Sequence, residues 1–112
     1  MIDHAHLDSL VQLLGKDTIN EIRLEFINDS NEKMTQLIQA WDKRDYQELR
    51  HVSHSLKSAS LNMAMQVFAK QCKLIEEAAT QQTDQGMQAI IDDLPTIHKT
   101  SLGELEVYFS TH

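Results

Sequence analysis

Apolar side chains recur at steps of three and four along almost the whole chain, and only three Gly and one Pro interrupt them. That spacing marks helices with one buried stripe. Leu7, Leu10, Val11 and Leu14 make the first helix, with Asp3 placed to cap its start and Gly15 to end it. A second is expected from Asp17 or Thr18, where Thr18-x-x-Glu21 has the form of a capping box. It runs through Phe26, Leu37 and Trp41 to near Lys43, and the polar residues 28–31 invite a bend in its middle. The third starts at Asp45, with Glu48 three residues on, and carries Leu49, Val52, Leu56, Ala59 and Met63 on one side. A fourth covers about residues 64–79. The fifth begins at Met87, and Pro95 is expected to kink or restart it, because Pro lacks the N–H and clashes with the preceding turn. An all-β chain of this length would need many more Gly and Pro turns. The expectation is all-α: one domain over residues 1–112, an antiparallel four-helix bundle with an additional short N-terminal helix.

Charge and composition remove several functions. Ten Lys+Arg stand against 17 Asp+Glu, a net charge of −7, which disfavours a broad nucleic-acid surface. Polar residues break every apolar stretch well short of the ~18–20 residues of a membrane span. Met1-Ile2-Asp3-His4 has neither the basic start nor the apolar core of a secretory signal. Cys72 is the single cysteine and permits no internal disulfide. A cytoplasmic protein with no nucleic-acid or membrane partner is expected.

The third helix presents an unusual outer face. At about 100° per residue, Gln47, Arg50, His51, Lys57, Ser58 and Leu61 all fall within roughly 60° of His54, opposite the apolar stripe. Counted along this helix alone, the face holds two cations and two histidines and no acid. A histidine on a helix surface is most often just solvated. His51 and His54 have the i, i+3 spacing of a metal pair, but Arg50 and Lys57 oppose a cation there, and no metal site is expected. His4 and His6 are two apart and share no helical face.

The hexapeptide His54-Ser55-Leu56-Lys57-Ser58-Ala59 resembles the signature of histidine-containing phosphotransfer (HPt) domains, a histidine followed by x-Leu-Lys and a small residue. Gly15-x-Asp17 before an apolar helix, the start at Asp45, and Leu74-x-Glu76-x-Ala78 also look like that family's pattern, over roughly residues 15–80. The compact chain looks like the stand-alone LuxU type. Two positions depart from the pattern: Ser58 and Ala64 stand where the family usually has Gly. The resemblance implies that His54 accepts a phosphoryl group from a receiver-domain aspartate of a hybrid sensor histidine kinase and passes it to a response-regulator aspartate. It implies no cofactor in this chain, with any Mg²⁺ on the partner receiver domain. The chain has no Gly-rich nucleotide loop, so neither ATP binding nor autokinase activity is expected, and the protein is a carrier rather than an enzyme.

These residues suit that chemistry. Attack on an aspartyl phosphate needs a neutral imidazole nitrogen. Arg50 and Lys57 disfavour a further positive charge on the ring, then stabilise the roughly two negative charges of the phosphorylated form. Ser58 is small enough to admit a partner's loops, and its hydroxyl can donate to a phosphoryl oxygen. Gln47, His51 and Leu61 are the expected docking residues. A non-catalytic adaptor bundle that binds a receiver or a partner helix is the alternative. An enzyme with His54 as general base is a third reading, for which this face offers no second catalytic group.

Overall fold

The computed structural model describes residues 1–111 and is built from five helices: α1 (His4–Leu14), α2 (Lys16–Asp42), α3 (Tyr46–Asn62), α4 (Gln66–Thr80) and α5 (Met87–Thr111). No strand occurs among the described residues. Helices α2 to α5 form the bundle, each packing on its neighbours in the order α2, α3, α4, α5 and back to α2, while α1 lies on α2. The particle is elongated, 42 × 19 × 19 Å between Cα extremes. Leu37, Leu49, Leu56, Phe68, Ile75 and Leu94 are fully buried along its axis. Each such side chain contributes about 1.5–3 kcal/mol through removal from water. No helix is long and apolar enough to cross a membrane among the described residues.

Local signals explain most of the boundaries. The Asp3 carboxylate accepts from the His6 backbone N–H at 3.2 Å, and Asp45 accepts from that of Glu48 at 3.1 Å, so both expected caps form. The expected capping box at Thr18 does not. Gly15, at φ +90°, is the single residue between the two helices and lets α2 begin at Lys16, without a side-chain cap. Helix α2 runs unbroken through residues 28–31, because Ser30 turns inward and is fully buried. Pro95 neither ends nor restarts α5. Leu94, His98, Ser101 and Leu105 keep one face of that helix buried across the proline, and this packing offsets the lost hydrogen bond, an effect of about 3 kcal/mol. Ala59, expected in the core, is only partly buried at its edge.

Helix α4 begins two residues later than expected, since Ala64 belongs to the turn, at φ +62°. An L-residue there costs about 1–2 kcal/mol, which is why Gly suits the position. Here the methyl group is completely buried, and the Ala64 carbonyl accepts the Asp3 N–H at 2.8 Å, tying α1 to the α3–α4 turn. Ala64→Gly relieves the backbone but loses a buried methyl, worth about 0.8 kcal/mol, and gains chain entropy on unfolding, worth about 0.5–1 kcal/mol. The terms nearly cancel. Thermal melts of wild type and Ala64→Gly are expected to agree within about 2 °C.

The opposite end is clamped by polar side chains. Arg44 stacks 3.5 Å over the Trp41 ring and pairs with Asp84 at 3.0 Å, and the Tyr46 hydroxyl donates to the same carboxylate. Trp41, otherwise in the core, donates its indole N–H to Gln88 at 2.8 Å.

Between α2 and α5, His98 Nε2 lies 2.8 Å from the Ser30 hydroxyl, and burial lowers the pKa of this ring from its ordinary 6.5. The unfolded chain therefore takes up the proton first as pH falls. Stability is unaffected above about pH 6.5, falls with pH below it, and levels off beneath the lower folded value. Urea midpoints are expected to drop between pH 7 and 5, and a His98→Gln protein is expected to lose part of that drop.

Candidate functional site

Helix α3 delivers His54 to the surface because Val52, Ser53 and Leu56 around it are buried and fix the helix rotation. The His54 side chain is 59% exposed. Its surroundings differ from the all-basic face expected of α3 alone, because α4 supplies an acid. Glu76 Oε2 lies 2.6 Å from His54 Nδ1, and Glu76 Oε1 accepts from Lys57 Nζ at 2.7 Å. Partial burial raises the Glu76 pKa, but the hydrogen bonds from Lys57 and His54 outweigh it and hold the carboxyl below its ordinary value. An ionised carboxylate only accepts. In the neutral ring, Nδ1 therefore carries the proton and Nε2 is the nitrogen with the lone pair.

The other expected residues divide by position. Lys57 is only partly exposed and is engaged by Glu76, so it is not the free surface cation that helix periodicity suggests. Arg50, one turn before His54, has no side-chain partner among the described residues and stands exposed. Ser58 is exposed one turn after it. Gln47 and His51 line, with Arg50, a shallow cleft of about 230 Å³ below the histidine. Leu61 lies above it, exposed together with Ile22 of α2. Ile22, Phe26 and Met63 line a neighbouring groove of about 380 Å³. No group of three or more metal-binding side chains occurs among the described residues.

Residues 21–102 match the family model described as Hpt domain. The chain belongs to the HPt family. Among solved structures, it is similar to histidine-containing phosphotransfer protein B of Pseudomonas aeruginosa PAO1, at 27% identity and a TM-score of 0.89, over 99% of this chain and 96% of that one. Comparison with curated proteins returns no match. As an HPt protein, the chain is a histidine phosphotransfer component of a two-component phosphorelay. HPt proteins carry phosphoryl groups rather than act as conventional enzymes, and they work with receiver domains and response regulators.

Glu76 is the site residue that a reading of α3 misses. His54 lies ten residues before Ala64 and Glu76 twelve after it, so a hairpin folded at that turn brings the two level. That count was the available signal.

Proposed function

We propose that His54 Nε2 is the phosphoryl acceptor, receiving the group from a receiver-domain aspartate and returning it to a response-regulator aspartate. The observation that carries this reading is the Glu76 contact, which fixes the proton on Nδ1 and leaves Nε2 free on an exposed ring. In the forward step the Nε2 lone pair attacks phosphorus, the bond from phosphorus to the aspartyl oxygen breaks, and the aspartate leaves as carboxylate. The ring becomes transiently cationic, with Nδ1–H still facing Glu76, and that carboxylate stabilises the charge and can take the proton. Reversal regenerates the free imidazole. Mg²⁺ acts on the partner receiver domain, and this chain binds no ATP. Residues 1–112 act as a single domain. The upstream partner is the receiver of a hybrid sensor histidine kinase, docking over Leu61 and the adjacent α2–α3 groove on one side of His54 and over Gln47 and His51 on the other.

The test is incubation with a receiver domain carrying labelled phosphate. Label is expected on this protein, acid-labile and alkali-stable, and mapping to the His54 peptide. Binding without label would favour the adaptor reading, and an acid-stable label would indicate a hydroxyl acceptor.

Charge on the same face sets the encounter rate. A phosphorylated receiver site is strongly negative, so Arg50 and Lys57 attract it over a screening length of about 8 Å at physiological salt. Transfer is expected to slow as salt rises, and the Arg50→Glu, Lys57→Glu double variant to lose most of that dependence. Lys57→Glu is expected to cost several-fold more rate than Arg50→Glu, because it also sets a second carboxylate against Glu76. A salt series of transfer rates checks both points.

A further inference from the structure

The α2–α5 face lies across the bundle from the α3–α4 hairpin that carries His54, and this pair shares the smallest interface in the ring of four. The two helices leave a groove of about 640 Å³, within the ~300–1,000 Å³ of small-molecule sites. Ile27 and Leu102 on one side of its middle, and Met34, Ile38 and Pro95 on the other, are apolar. Its middle is polar: Asn31 and Thr35 of α2 face His98 and Lys99 of α5.

Two side chains at that waist keep hydrogen-bonding capacity toward the groove, one on a nearly buried ring and one on an exposed lysine. His98 is only 5% exposed and spends Nε2 on Ser30, yet its Nδ1 has no partner among the described residues, and the ring lines the groove. The Lys99 ammonium has no ion-pair partner among them either. The groove's other charges sit at one end: Arg23, held by Asn20 and stacked 5.5 Å from the Phe109 centroid, and Glu106. In a chain of net charge −7, the groove thus gathers two cations against one acid and keeps Lys99 uncompensated at its centre.

We propose that the α2–α5 groove is a binding site for a small amphipathic molecule, an apolar body with one anionic group. The body lies against Ile27, Leu102 and Met34, and the anion meets Lys99, with His98 Nδ1 as a neighbouring hydrogen-bonding group. The site is separate from the phosphotransfer face.

Gly103 gives a way to close the groove, though it also lines a second pocket beside Val107 and Tyr108. It lines the groove in ordinary helical conformation, and a Cβ added there meets no atom within 4 Å. Gly103→Leu is therefore expected to fold at least as stably as wild type, since Gly is a poor helix former. The probe is 8-anilinonaphthalene-1-sulfonate, with its uncharged counterpart N-phenyl-1-naphthylamine as control, read by fluorescence titration and by ¹⁵N–¹H spectra of the full chain. Saturable binding at one site is expected, with shifts confined to the lining of α2 and α5. Affinity should fall at least fivefold for Lys99→Glu and for the uncharged probe, and Gly103→Leu should abolish binding. Shifts spread over other faces, unsaturable binding, or unchanged affinity in either variant would overturn the assignment. So would a concentration-dependent dimer shifting the same residues without probe, which would give the groove to a second copy.

Discussion

The His54→Gln protein is expected to accept no phosphoryl group from a labelled receiver, while its helicity and melting temperature stay those of wild type. Glutamine has no nucleophilic nitrogen, so the acceptor is removed outright. The fold does not depend on the ring: the side chain is largely exposed, and Glu76 keeps its bond to Lys57. The expected stability change is within about 0.5 kcal/mol, as for other surface positions. His51→Gln is expected to retain most acceptance, because no side chain among the described residues hydrogen-bonds the His51 ring, although Asp45 and Glu48 line the same cleft. Label remaining on the His54→Gln protein would move the acceptor elsewhere.

Glu76→Ala is expected to slow single-turnover acceptance about a hundredfold, or about 2.7 kcal/mol of barrier. The substitution removes the group that fixes the Nδ1 proton and faces the positive charge formed on attack. Glu76→Gln keeps an oxygen at the same reach and should recover roughly a factor of ten. Loss of packing alone would not predict that ranking. Ring ¹⁵N shifts supply an independent reading: one tautomer for wild type and for Glu76→Gln, a mixture for Glu76→Ala. Glu76→Ala also frees Lys57, so Lys57→Met is the control, and it should leave the tautomer unchanged. Wild-type rates from Glu76→Ala would remove this residue from the mechanism.

The helices and the outward placement of His54 are legible in the sequence because both depend on neighbours along one helix. Asp45 caps α3 as its position implies, and the burial of Val52 and Leu56 turns His54 outward. What escapes is tertiary. Glu76 belongs to another helix, so the apparent absence of acid beside His54 holds only while α3 is considered alone. Thr18 and Glu21 had capping-box form, but the positive φ that Gly15 adopts starts α2 earlier. Pro95 is a helix breaker by local rules and sits within a continuous α5, because the packing on either side of it outweighs one lost hydrogen bond. Residues 28–31 read as a weak point only until Ser30 is seen to be enclosed.

Both halves of the site, His54 and Glu76, belong to the single hairpin α3–α4, whose two helices share the most extensive interface in the molecule. Local, extensively packed hairpins close cheaply and open rarely, whereas elements joined by few contacts fluctuate with little cost. Amide hydrogens of α3 and α4 should therefore exchange last, and those lining the sparse α2–α5 seam sooner. Sub-global opening on that seam can come and go while the distance from His54 to Glu76 stays fixed. With His54 as the proposed acceptor, the carrier would meet successive partners while yielding on one flank and keeping that ring in place.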